Sequence, residues 1–255
     1  MGLIFDNYSA NLYKSWQRSP KGRSMDGFVE RLIPELLEPA KYERVLDIGC
    51  GTGNHLLHFR RLGLNINGID ASPYMIDLAK KRLGNRCTLN IGMAEDLPYE
   101  DNEFDFALLI NTLEFLDDPI QALREAGRVA RRKVLIVVIN SLSLDRAQDR
   151  FKGLFRESIH KYIKPYNLWE LKSCVQRAYG LVPIEWRGEK IWPFSTERIS
   201  RSPSDPDGLS AWPFGSFIGL SATLKYSFKT DNLPLKIRVN KREQSIAGGI
   251  PAVRH

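Results

Sequence analysis

Two aspartates and a run of glycines carry the most readable chemistry in this chain. The segment Val45-Leu46-Asp47-Ile48-Gly49-Cys50-Gly51-Thr52-Gly53-Asn54-His55 closes an apolar strand pattern with a glycine-rich turn and opens a helix pattern. Glycines in such a turn let backbone N–H groups come close to a ligand, and the start of the following helix favours negative charge. The spacing is GxGxG; the dinucleotide fingerprint would need a glycine at position 54, which is Asn54. Asp47 precedes the turn inside the strand, where an acid attracts a cationic ligand group. Asp70 ends the next strand pattern, about 20 residues beyond the loop, the position at which nucleotide-binding α/β folds place a carboxylate against ribose hydroxyls.

The elements that position these residues alternate. Tyr8, Leu12 and Trp16 recur at helical spacing, and Met25–Leu37 is amphipathic and closed by Pro39. Strands are expected at Arg44–Ile48, Asn65–Asp70, Cys87–Gly92 and Phe104–Ile110, and helices at Asn54–Leu62, Pro73–Leu83 and Pro119–Ala130. Ser72 is a candidate N-cap with Pro73 at the first helical position, and Asp117 or Asp118 caps the helix after it. Lys133–Ile139 is a β-branched run of the kind buried on both faces of a parallel sheet. Further on, Asn167–Tyr179 reads as a helix and Leu181–Trp186 as a strand, and from Ile218 to Phe228 apolar residues alternate with period two. The rhythm predicts an α/β fold with a doubly wound sheet. We divide it into a helical cap at 1–40, a main domain at 41–228 with an aromatic, lid-like insertion at about 188–215, and a basic tail at 229–255.

The cationic and ribose-binding features together fit S-adenosylmethionine, which carries a sulfonium, an α-amino group, a carboxylate and a ribose. VLDIGCGTGNH, GIDAS and GMAEDLPYEDNEFDFALLINTLEFLDDP, taken as a set over about residues 40–140, resemble class I S-adenosylmethionine-dependent methyltransferases. The group resembled holds ubiquinone/menaquinone-type and other small-molecule methyltransferases. The resemblance implies a Rossmann-like seven-stranded sheet, mostly parallel with an antiparallel last strand. It implies S-adenosylmethionine as cofactor, S-adenosylhomocysteine as product, and methyl transfer to a small-molecule acceptor by in-line displacement. By position, Asp47, Gly49, Gly51 and Gly53 frame the methionine end, Asp70 holds the ribose hydroxyls, and Ala71 and Met75 border the adenine. Relatives read Gly-Asp-Ala in the third motif; here Gly92-Met93-Ala94 stands there, which leaves the adenine to Met93, the Ala94 backbone and a carboxylate from Glu95 or Asp96. Asn111 follows the fourth strand, where the family's backbone lines the methionine amino group. N-terminal aromatics cover the cofactor in relatives; Tyr8 and Tyr13 are of that type, and Tyr13 is the preferred one.

Methyl transfer from a sulfonium asks for alignment and exclusion of water more than for an acid or base. No catalytic residue is assigned, and no metal ligand set is read. Glu114 falls on the substrate side, as a base or as a solvated residue; His55 is a ligand contact or a surface residue; His160 and Tyr162 read as surface groups. Trp192-Pro193-Phe194 and Trp212-Pro213-Phe214 read as packing anchors. The formal net charge of +7 is concentrated from Lys225 onward, where seven Lys/Arg face Asp231 and Glu243. That tail motivates a nucleic-acid or protein methyltransferase, but after the fourth strand the chain reads Asn111-Thr112-Leu113-Glu114 rather than Asn-Pro-Pro-Tyr, and no cysteine follows a proline. A non-catalytic S-adenosylmethionine-binding protein is the other rival, and a nicotinamide dehydrogenase is disfavoured by Asn54. Three cysteines without CxxC spacing, no apolar signal core and no run long enough to span a bilayer fit a cytoplasmic protein.

Overall fold

The computed structural model describes residues 4–143, 163–189 and 209–224, which belong to one compact unit. Helix α1 (Asn7–Gln17) starts where the Asp6 carboxylate accepts the Ser9 N–H, and α2 (Pro20–Leu37) starts where the Ser19 hydroxyl accepts the Gly22 N–H with Pro20 at the first position. α2 therefore begins five residues before Met25, because its cap sets the start while its apolar spacing becomes readable only later. There follow β1 (Arg44–Ile48), α3 (Asn54–Arg61), β2 (Asn65–Asp70), α4 (Pro73–Leu83), β3 (Thr88–Ile91), β4 (Phe104–Ile110), α5 (Pro119–Val129) and β5 (Ala130–Ile139). The chain continues through α6 (Leu168–Tyr179), β6 (Ile184–Glu189), β7 (Leu209–Ser210) and β8 (Phe217–Thr223).

The strands form one sheet in the order β3-β2-β1-β4-β5-β8-β6-β7. The first five are parallel, and β8 runs antiparallel to both β5 and β6. The seven strands implied by the resemblance are thus joined by the two-residue β7 at the edge. β6 starts at Ile184, three residues past Leu181, because its pairing with β8 opens opposite Ala222. β8 alternates in sequence, yet its residues from Phe217 to Ala222 are all buried, since helices cover both faces of the sheet.

Alternation along β1 and β4 divides the core. Val45, Phe106, Leu108 and Ile110 pack with α2, α3 and α4 on one face. Leu46, Ile48, Ala107 and Leu109 pack with α5 and α6 on the other. At Gly219 of β8 a Cβ would lie 2.1 Å from a Leu32 methyl, so glycine is what lets α2 press directly onto the sheet. The chain winds outward in opposite directions from β1 and β4. That reversal opens a crevice at their carboxyl ends, where open α/β sheets bind ligands. Tyr226, Phe228, the 229–255 tail, His160, Tyr162 and Trp192-Pro193-Phe194 lie outside the described residues. Among the described residues no helix is long and apolar enough to cross a membrane.

Candidate functional site

The crevice is built on the turn after β1. Gly49, Gly51 and Gly53 all have positive φ. The Gly49 and Cys50 N–H groups donate to the Ile69 carbonyl at 2.8 and 3.0 Å, which hangs the turn on the end of β2. A Cβ at Gly49 would stand 2.5 Å from the Thr112 side chain, whose hydroxyl donates to the Ile48 carbonyl at 2.9 Å. Only glycine therefore allows the turn its left-handed φ and its close approach to the segment after β4. Asp70, at the carboxyl end of β2, accepts the Gly51 N–H (2.9 Å) on one oxygen and the Ser72 N–H (2.8 Å) on the other. Burial raises its pKa, and those two N–H groups oppose the shift.

A cavity opens above this turn, with about 660 Å³ of empty space when the open solvent at its mouth is included. The expected residues Gly49, Gly51, Asp70, Ala71 and Met75 line it from one side, and Met93, Ala94, Glu95, Asn111 and Tyr13 from the others. Tyr13 lies against Gly51, where a Cβ would be 3.8 Å from its ring, whereas Tyr8 is 62% exposed and does not line this cavity. Two expected residues stand outside the lining. Gly53 directs the place of its missing Cβ at Leu83 and Ala79 of α4, so it serves the packing of α3 against α4. Asp47 lies behind the cavity wall, 1% exposed, with neither carboxylate oxygen hydrogen-bonded. Burial, with the nearby Asp70 charge, pushes its carboxyl up to about 8.

Asn111 combines two departures from rest. It is a non-glycine residue held at φ +51, and its Oδ1 is buried with no hydrogen-bond partner. Its side chain hydrogen-bonds the Tyr13 hydroxyl, whose pKa is raised by burial and then by the charge of Asp26. Tyr13 is therefore protonated at neutral pH.

The cavity has walls that sequence reasoning missed. Ile4, Phe5, Thr112, Phe115 and Leu116 line it. The Phe5 ring stands edge-on to Tyr13 (centroids 5.7 Å) and to Phe115 (5.1 Å), and the Phe5 carbonyl accepts the Ser72 hydroxyl. No local pattern could have revealed Phe5, because each of its partners is remote in sequence or lies across the α1 cap. His55 is neither on the surface nor in the cavity. It is buried, stacks on Phe59, sits 3.9 Å from Asp26, and burial holds it neutral with a pKa of about 4. Glu114 is buried rather than solvated, and its Oε1 accepts the Ile139 N–H at 2.7 Å, tying the turn after β4 to β5. Trp212 and Phe214 pack edge-to-face at 5.3 Å.

The geometry fits an adenosine compound that carries positive charge. A glycine cradle, a strand-end carboxylate and an unpartnered buried aspartate converge on one crevice, with an aromatic ring over the turn. Comparison with known proteins agrees. Residues 46–138 match the family model described as a methyltransferase domain. An uncharacterized protein of Methanocaldococcus jannaschii is 32% identical over 181 residues, 68% of this chain and 77% of that protein. An ajmaline N-methyltransferase of Rauvolfia serpentina is 33% identical over 129 residues, 45% of this chain, and the match spans less than half (44%) of that enzyme's length. A Thermotoga maritima structure described as a SAM-dependent methyltransferase, possible histamine N-methyltransferase, shares the fold, with a TM-score of 0.62, 24% identity, and coverage of 84% of this chain and 96% of that one. The chain belongs to the class I S-adenosylmethionine-dependent methyltransferases, whose cofactor is S-adenosylmethionine.

Proposed function

We propose that the chain transfers a methyl group from S-adenosylmethionine to a small organic acceptor, and that its cofactor site is formed by Tyr13, Asp47, Gly49, Gly51, Gly53, Asp70, Ala71, Met75, Met93, Ala94, Glu95 and Asn111. The observation that carries this reading is the buried, unpartnered Asp47 beneath a cavity lined by the glycine turn and Asp70. The bound cofactor supplies an electrophilic methyl group on a sulfonium. Asp70 keeps lone pairs for two ribose hydroxyls while its backbone partners fix its orientation. Asp47 balances positive charge at the methionine end, and Gly53 acts through the packing of α3. Met93 and Met75 supply apolar, polarizable surface for the adenine, and Glu95 a carboxylate at its edge. Tyr13, Phe5 and Phe115 exclude water and present aromatic surface to a cation, worth about 0.5–2 kcal/mol. The chain's remaining task is to align acceptor, methyl and sulfur, for which positioning supplies up to roughly 7–11 kcal/mol.

Calorimetric titration with S-adenosylhomocysteine tests the site. Binding by the wild-type chain is expected, with a loss of about 1–3 kcal/mol or more in Asp70→Ala, which strands the Gly51 and Ser72 N–H groups. No binding at millimolar ligand, or binding untouched by the substitution, removes the proposal.

A further inference from the structure

We infer that Arg82 is a positioning residue for cofactor retention: from α4, outside the cavity, it locks the N-terminal cap onto the turn that holds the cofactor. The inference rests on the methyltransferase reading above and concerns how its cofactor site is kept closed. Arg82 Nη1 donates to Thr52 Oγ1 at 3.0 Å and to Asn54 Oδ1 at 3.1 Å, the two residues that flank Gly53. Each partner carries the connection on to the cap. The hydroxyl of the buried Thr52 gives its proton to Gln17 Oε1 on α1 at 3.0 Å, and the Asn54 side chain hydrogen-bonds Asp26 on α2. One guanidinium thus joins α4, the glycine turn, the first residue of α3 and both cap helices. None of these five side chains lines the cavity.

What the network holds is the cover of the site. Tyr13 of α1, with Ile4 and Phe5 before it, lines the cavity. Yet of the eleven residues of α1 only Ser9 and Ala10 are buried, whereas α2 buries eight of its eighteen. Phe5, Tyr13 and Trp16 pack on the core while only partly buried. An element with so little fully buried surface opens at low cost, and active-site lids are drawn from such elements. Polar ties therefore decide where this one rests. The Phe5 carbonyl accepts the Ser72 hydroxyl at one end, and Gln17 accepts the Thr52 hydroxyl at the other. Only the second tie reaches the glycine turn. A threonine hydroxyl has one proton and two lone pairs, so an Arg82 N–H on a lone pair leaves the proton directed at Gln17. Removing the guanidinium lets the hydroxyl rotate away and strips Asn54 Oδ1 of its charged donor. A cap held this way sets how long the product stays, because the aromatic wall leaves the cavity only when Gln17 leaves Thr52.

Two measurements on the intact chain test this. Labelled S-adenosylhomocysteine is loaded and its release timed after a chase with excess unlabelled compound, and amide hydrogen exchange is followed with and without it. In the wild type, bound S-adenosylhomocysteine should slow exchange across residues 7–17. Arg82→Met keeps an unbranched apolar stem and loses the donors. Thr52→Val removes only the hydroxyl and leaves Asn54 and Asp26 paired, so it tests the lock even where Arg82→Met folds poorly. In both, release should be about tenfold faster with little change in the association rate. The protection of residues 7–17 should vanish while that of α4 and the sheet holds. The double variant should release no faster than Arg82→Met alone, because both substitutions cut one connection. Release at the wild-type rate in Thr52→Val, effects that multiply in the double variant, or exchange that quickens equally in α1, α4 and the sheet overturns the inference. If S-adenosylhomocysteine does not bind the wild type at all, it is the methyltransferase reading that fails instead.

Discussion

Asp47 makes the ligand-free fold and the cofactor compete, and Asp47→Asn separates the two. In the folded, ligand-free chain the carboxyl is buried without a hydrogen bond and its pKa stands at about 8, against 3.8 for an ordinary aspartate. A raised carboxyl pKa means that the folded state holds a proton which the unfolded chain gives up above about pH 4. Stability therefore falls as pH rises from the unfolded pKa towards 8, by about 1.4 kcal/mol per pH unit. Between pH 5 and pH 7.5 this amounts to about 3 kcal/mol that the wild type loses and Asp47→Asn does not, because the amide has no proton to shed. Urea unfolding of both ligand-free proteins at the two pH values measures it. The difference in unfolding free energy, variant minus wild type, should grow in the variant's favour by that amount, whatever its value at pH 5. At pH 7.5 the same substitution should weaken S-adenosylmethionine by about 1.5–3 kcal/mol, the size of a lost charged hydrogen bond. A stability difference that does not vary with pH would mean that Asp47 is ionised in the empty fold, and the account of it as a carboxylate awaiting a cation would be wrong.

Two further outcomes follow from the same geometry. Affinity for S-adenosylmethionine should rise with pH and level off above about 8, because the cation binds the ionised form of Asp47 and expels its proton; calorimetry at pH 7 in buffers of different ionisation enthalpy should show proton release. Gly49→Ala should abolish S-adenosylhomocysteine binding and lower stability by about 1–3 kcal/mol, measured by calorimetry and urea unfolding, because its Cβ meets Thr112 at 2.5 Å on a residue held at φ +73.

The parallel half of the sheet was legible because each of its signals is local. The strand at Arg44–Ile48 runs directly into the glycine turn, Ser72 and Pro73 mark the start of α4, and the β-branched run ending at Ile139 can only be a buried strand. Ten of the twelve expected site residues line the cavity, eight of them because they sit at strand ends or in the turns that follow, whose positions the pattern fixes, while Tyr13 and Met75 reach it from α1 and α4. What was not legible depends on chain segments far apart. Phe5 and Phe115 become neighbours only when α1 folds back over the sheet, and β8 conceals its double burial because alternation in sequence says nothing of what lies on the second face. Asp47 was legible in type and place, but not in its isolation. A strand pattern cannot show that no donor reaches a carboxylate.

Ser72 joins the readable and unreadable parts, and substitutions there test the second. Its hydroxyl oxygen accepts the Met75 N–H at 3.2 Å, the cap that the sequence announces, and its proton goes to the Phe5 carbonyl, a contact that no sequence pattern announces. Ser72→Ala removes both and should cost about 0.5–2 kcal/mol of stability for the cap alone, together with cofactor affinity. Ser72→Asp keeps an acceptor for the cap, but its carboxyl is buried beside Asp70 and the Phe5 carbonyl, so it costs stability as well as the Phe5 contact. If residues 4–6 hold the aromatic wall over the bound adenosine, both variants should bind S-adenosylhomocysteine more weakly. If both variants bind as the wild type does, the Phe5 segment lies beside the cofactor without holding it. The aromatic wall then owes its position to Phe115 and Tyr13 alone.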